Sequence, residues 1–288
     1  MMRLLQSCAI LCLAAAGTRM CAAQDFHVPD SAVAGEEASI STQGSGKAIF
    51  YLVGPGVSRR NDVTLGQDVP LAPEDLRNAG DYLAILCSGT CRSASFYVGA
   101  AKPASLTFLV HPSRVPVAQG DAVSGVAFPF DQYHNLVLSP ENVSFQLTAK
   151  DAPLWSRSVR TQNAVAWFRT ASGKSAGPLQ VTASLDDLKT LRAVQQVASD
   201  PCNLRITGQR TPKGIFVQTE PVHDCAGNAV PDGTIVTFTA TGAQGVGTVD
   251  APIKQGVARA QLEASGAATI SVASGVVMGN EIRVGAQP

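Results

Sequence analysis

Two stretches of the chain carry the same residues at the same intervals. Asp131, Asn135, Val137, Val143 and Phe145 recur as Asp224, Asn228, Val230, Val236 and Phe238, in every case 93 positions later. Downstream, Val165-Ala166 is answered by Val257-Ala258 at an offset of 92, and Gly177-x3-Val181 by Gly266-x3-Ile270 at 89. A repeat of this length is too long for a solenoid unit and suits a β-sandwich domain of about 100 residues. A chain of 288 residues then has room for a third such unit ahead of the two related ones.

Local patterns inside the repeat are those of strands. In Val126-Ala127-Phe128-Pro129-Phe130 apolar residues fall at every second position, and Ala268-Thr269-Ile270-Ser271-Val272 alternates as well. Ile235-Val236-Thr237-Phe238-Thr239 is β-branched and aromatic. Each run is bounded by Gly, Pro, Asn or Asp, which marks short antiparallel strands joined by turns. Pro73-Glu74-Asp75-Leu76-Arg77 offers a single helical turn and no more. The high turn content, 26 Gly and 17 Pro against only 15% charged residues, agrees with many short strands.

The repeated Asp and Asn belong to a turn. Asn228 after Gly227 suits a backbone that needs positive φ, and the Asp224 carboxylate is placed to accept amides two residues on. Pro231-Asp232-Gly233 makes a second turn before the next strand. A Ca²⁺ site through Asp224, Asn228 and Asp232 would need six or more oxygens, and no further carboxylate stands nearby in sequence. Turn chemistry is the preferred reading.

The first residues read as a leader. Arg3 precedes an apolar run over residues 4–17, and a small-residue stretch ends at Cys21-Ala22-Ala23. That order is a secretory signal peptide cleaved after Ala23. The run is shorter than the ~20 residues a membrane span requires. Loss of Arg3 and Arg19 with residues 1–23 leaves 20 basic against 22 acidic side chains. That balance excludes a basic nucleic-acid-binding protein, and 45% apolar content excludes disorder. Four cysteines remain in an oxidising compartment, Cys87, Cys91, Cys202 and Cys225. Of three connectivities, Cys87–Cys91 with Cys202–Cys225 keeps each pair inside one expected domain. Cys202 is then expected to tie the first strand of the third unit to its second. Zinc is disfavoured, because the nearest downstream histidine, His111, falls in another domain.

Residues 24–102 lack the repeat but carry another sandwich mark. A turn at 76–80 leads through Asp81-Tyr82 into the apolar run 83–86. Gly-x-Tyr at a strand start resembles the tyrosine corner of immunoglobulin-like domains, where the phenol bonds back to the backbone. Tyr82 is that residue. Cys87-Ser88-Gly89-Thr90-Cys91 would staple the tip of the following hairpin.

The third unit as a whole resembles a bacterial immunoglobulin-like domain of the invasin/intimin type. The resemblance rests on Asp224-x2-Gly227-Asn228-x-Val230-Pro231, then Val236-x-Phe238, Gly256-x-Ala258 and the closing Ala268-Thr269-Ile270 strand. The second unit keeps Asp131, Asn135, Val137 and Phe145 but has His134 where the family has Gly, and the first unit matches only a general immunoglobulin-like pattern. The resemblance implies a row of domains at or beyond the cell surface, acting as spacer, adhesin stalk or interaction module.

Enzyme motifs fail on context. Gly173-Lys174-Ser175-Ala176-Gly177 fits Gly-x-Ser-x-Gly, but a strand rather than a helix is expected after it, so a hairpin loop explains it. A P-loop would need Gly where Phe168 stands. His27, His111, His134 and His223 form no local ligand spacing. In Val165-Ala166-Trp167-Phe168 alternation sends one of the two aromatics outward. Trp167 and Phe168 are therefore both contact candidates, with packing on a neighbouring domain the preferred reading of the outward ring.

The sequence thus predicts an all-β chain of three tandem immunoglobulin-like β-sandwich domains, 24–102, 103–198 and 199–288, after a cleaved signal peptide at 1–23. It predicts a non-catalytic binding, adhesion or scaffolding module that is secreted, periplasmic or on the cell surface. The expected partner is a protein or a glycan, with no cofactor, metal or nucleic acid and no integral membrane segment after cleavage. A secreted hydrolase with a site converging from loops and a periplasmic assembly chaperone are the alternatives.

Overall fold

The computed structural model of the chain describes residues 26–150 and 152–285, and the leader expected at 1–23 lies outside them. Apart from one 3-10 turn, Pro73–Leu76, the regular structure of the described residues is β. The described residues up to Gly99 form one compact unit, and those from Ala100 onward form a second. The first unit holds one β-sandwich and the second unit holds two, so the fold is a series of three sandwiches.

In the first sandwich a five-stranded sheet runs Ala32–Val33, Thr90–Gly99, Gly80–Ser88, Lys47–Gly54, Val57–Thr64. A three-stranded sheet of Phe26–His27, Ala38–Thr42 and Val69–Leu71 belongs to the same unit. Strict alternation along Lys47–Gly54 turns Ala48, Phe50 and Leu52 inward, and along Gly80–Ser88 it turns Tyr82, Ala84 and Leu86 inward.

The second sandwich repeats this plan. Its larger sheet runs Arg114–Pro116, Leu188–Val197, Gly177–Leu185, Asn142–Ala149, Ala152–Arg160, with the short first strand parallel to its neighbour, like Ala32–Val33 in the first sandwich. Its smaller sheet has Val123–Phe130 between Ala166–Thr170 and Ser105–His111. Phe145 packs between Phe108 and Phe168, with ring centres 5.8 and 4.8 Å away. Phe168 lies directly over Gly125, its partner across the ladder, where a Cβ would collide with the ring. Burying aromatic and aliphatic side chains in this way stabilises each sandwich by roughly 1.5–3 kcal/mol per large side chain.

The third sandwich sets Ile206–Thr211, Gly214–Thr219 and Arg259–Leu262 in one sheet and Gly245–Pro252, Ile235–Gly242, Ala268–Ser274 in another. The sequence offset of 93 holds for whole strands: Asn142–Ala149 maps onto Ile235–Gly242 at both ends. Inward residues correspond too, with Val143, Phe145 and Leu147 answered by Val236, Phe238 and Ala240. A pair Pro201–Cys202 and His223–Asp224 closes the end of this sandwich where the chain enters it.

Candidate functional site

The repeated Asp and Asn build one device twice. Asp131 follows the strand Val123–Phe130 and is 1% exposed; Asp224 ends the strand His223–Asp224 and is 4% exposed. Asp131 Oδ1 accepts the amides of Tyr133 at 2.9 Å and Asn135 at 2.8 Å. Asp224 Oδ1 accepts those of Ala226 at 2.9 Å and Asn228 at 2.8 Å. Each Asn side chain donates back to its own Asp. The remaining oxygen turns to the incoming chain: Asp131 Oδ2 accepts the Ala101 amide at 3.0 Å, and Asp224 Oδ2 accepts the Ser199 amide at 3.0 Å. The positive φ falls on the residue before each Asn, Gly227 at 84° and His134 at 65°.

These bonds set the electrostatics. Burial alone pushes both carboxyls up, but the hydrogen bonds they accept favour the ionised form and win. For Asp131 the donors are Asn135, Ala101 and Tyr133; for Asp224 they are Asn228, Ser199 and Ala226. Both groups are held below the ordinary aspartate value.

In the third sandwich the device also reaches across to the second. Asn228 Nδ2 donates to the Lys174 carbonyl at 2.9 Å, and Asn228 Oδ1 accepts the Ala176 amide at 2.9 Å. From the other side the loop is held by Gln196, itself 1% exposed, whose Oε1 accepts the Gly173 amide and whose Nε2 donates to the Ser175 carbonyl at 3.0 Å. Ser172 Oγ adds a bond to the Pro116 carbonyl at 2.7 Å. Loop 171–176 is therefore a joint between two sandwiches. It is not a hairpin loop, because the strands on either side, Ala166–Thr170 and Gly177–Leu185, lie in different sheets. Nor is it a nucleophile elbow, since a strand follows Ser175 where that chemistry needs a helix. Among the described residues no group of three or more His, Cys, Asp or Glu side chains is placed to hold a metal ion.

The other sequence-derived residues fall as follows. Val137 and Val230 are buried behind the two loops, and Phe145 and Phe238 are fully buried in the cores. Tyr82, 1% exposed, donates its hydroxyl to the Asn78 carbonyl at 2.8 Å and stacks on Phe96. Burial raises its pKa, the Asn78 bond lowers it, and the Asp75 charge raises it further, with a net upward shift. Cys87 and Cys91 are bonded across their hairpin, and Cys202 is bonded to Cys225. The second bridge does not join the first two strands of the sandwich. It ties the entering segment Pro201–Cys202 to the Asp224 loop, with the hairpin Ile206–Thr211 and Gly214–Thr219 lying between them in sequence.

Trp167 and Phe168 part company. Phe168 is 1% exposed and packs on Phe145 and Trp155, so it is no contact residue. Trp167 is the outward ring, 63% exposed on the outer face of its sheet. The partners Ala101, Ser199 and the 173–176 backbone carried no usable signal in the sequence, because backbone amides and carbonyls have no residue-type signature, and Gln196 acts through its side chain from another strand, more than 20 positions away.

No protein-family model and no curated protein matches the chain. Solved structures do match in fold. The Escherichia coli adhesin FdeC superposes with a TM-score of 0.65 at 14% identity, over 92% of this chain and 97% of that one. Invasin, described as a bacterial integrin-binding protein, superposes with a TM-score of 0.52 at 12% identity, over 92% of this chain and 60% of that one. This chain has the tandem immunoglobulin-like fold of those bacterial proteins.

Proposed function

We propose that this chain is a non-catalytic module of the invasin/intimin type, secreted or held at the cell envelope, with domains at 24–102, 103–198 and 199–288 after a cleaved leader. Its task is to carry a binding surface for a protein or glycan partner at a fixed spacing. The observation that carries this reading is the Asp224–Asn228 joint. One carboxylate and one carboxamide clamp the incoming linker and the loop of the preceding sandwich together, and a stalk needs joints of this kind while a lone soluble domain does not. The fold shared with FdeC and invasin supports the same reading.

Cell fractionation with thiol alkylation tests it. The protein is expected outside the cytoplasm, shortened at its N terminus, with Cys87, Cys91, Cys202 and Cys225 all protected from alkylation. Recovery from the cytoplasm with free thiols overturns the assignment. Labelled mature protein is expected to bind intact cells or envelope fractions saturably.

A further inference from the structure

The outer face of the smaller sheet in the second sandwich is unusual for a solvated surface. Register places Leu109, Val126 and Trp167 in one row across its three strands. Leu109 is 57% exposed and Trp167 63%, with Val126 between them and Phe128 next along the same face. The adjoining row, two residues along and so about 7 Å away, is polar: His111, Ser124 and Arg169 stand side by side. That row opens into a cleft of about 480 Å³, whose lining adds Arg114, Gln119 and Asp121. Another cleft of this unit, at the end of the third sandwich, is walled mainly by Gly and Ala and offers few recognition groups.

The chemistry of this face is specific. An exposed indole on a flat sheet is a platform for the apolar face of a pyranose ring, whose C–H bonds meet the negative face of the π system. Arg169 is oriented by its Nε, which donates to the Asp121 carbonyl at 2.8 Å. Neither Arg114 nor Arg169 takes part in an ion pair among the described residues. Two guanidiniums against the single Asp121 carboxylate leave the cleft net positive, and an unpaired guanidinium fork fits a carboxylate with two parallel bonds. Gln119, Ser124, His111 and Asp121 supply donors and acceptors for hydroxyl groups.

We propose that this face binds an acidic glycan: one pyranose stacks on Trp167, and a carboxylate-bearing sugar beside it lies in the cleft against Arg169 and Arg114. The inference deepens the surface-module reading and rests on it. The spacing between the two rows requires at least a disaccharide.

The mature protein, labelled with ¹⁵N, is titrated with trigalacturonic acid and 3′-sialyllactose, against cellotriose as neutral control and hexaglutamate as a charged non-sugar control. The chain has two tryptophans, so two indole N–H signals report. Trp167 is expected to shift while Trp155, packed on Phe168, stays still and reports that the fold is intact. At least one acidic sugar is expected to bind about tenfold more tightly than cellotriose. Trp167→Ala is expected to weaken binding about tenfold or more, and Arg169→Gln to erase the preference for acidic over neutral sugar while stacking persists. Arg60→Gln, on the first sandwich, is expected to change nothing. The site is overturned by the absence of binding by either acidic sugar, by equal affinity for hexaglutamate, or by an unchanged affinity in Trp167→Ala. Those results in a protein recovered outside the cytoplasm sink the glycan site alone, whereas recovery from the cytoplasm sinks the surface-module reading whatever the titration shows.

Discussion

The second and third sandwiches carry the same carboxylate cradle with different surroundings. Asp131 and Asp224 accept the same three backbone amides at nearly the same distances, one of them from the segment that enters the sandwich. Around Asp224 the loop is locked further by the Cys202–Cys225 bridge, and Asn228 bonds to Lys174 and Ala176 of the preceding sandwich. Around Asp131 the left-handed position is filled by His134 rather than glycine. The cradle itself is therefore the indispensable part. The disulfide and the glycine are additions that one copy has and the other lacks.

Removing the carboxylate breaks both copies. Asp131→Ala or Asp224→Ala leaves several buried amides unpaired and is expected to cost about 3 kcal/mol of stability, read by urea unfolding. The loss should be the larger in the second sandwich, where no disulfide holds the loop. Reducing Cys202–Cys225 removes a ring of 23 residues and is expected to cost about 3 kcal/mol in the third sandwich while leaving unfolding of the second in place. Equal loss in both would show that the two sandwiches unfold as one.

Acid sharpens the same contrast. Each carboxyl titrates lower in the folded chain than when unfolded. Its contribution is thus complete above the unfolded value and disappears as pH falls from about 4 through the folded value. Unfolding measured between neutral pH and pH 2 should show a steep acid limb, and Asp131→Asn with Asp224→Asn should flatten it. A limb of unchanged slope would assign acid sensitivity to other groups.

Smaller effects separate the additions. Asn228→Ala removes the two bonds across the joint together with the side chain's own bonds to Asp224, and is expected to cost about 1 kcal/mol. It should also broaden the distribution of overall dimensions in small-angle scattering of the mature protein. His134→Gly relieves a left-handed residue and is expected to stabilise by about 0.5 kcal/mol after the added freedom of the unfolded chain, whereas Gly227→His should do the reverse. Matched, opposite changes in midpoint would show that this residue acts independently of the disulfide that only the second loop has.

Short-range features were legible in the sequence. The spacing shared by Asp131, Asn135, Val137 and Phe145 with their counterparts marked the two related sandwiches, because strand alternation and turn chemistry act within a few residues. Tyr82 and the hairpin cysteines were legible for the same reason. The face of 165–168 was not: Val165 with Trp167 and Ala166 with Phe168 are both apolar pairs, and only docking against Phe145 and Gly125 turned Phe168 inward. The same holds for the Ala101 and Ser199 amides, which lie 30 and 25 positions from their carboxylates. By itself the sequence determined the strands, the turns and the repeat. Tertiary structure alone decided that each repeated turn also clamps a linker, that loop 171–176 is a joint, and that Trp167 rather than Phe168 faces outward, because those outcomes depend on how separate sheets meet and no local pattern encodes that meeting.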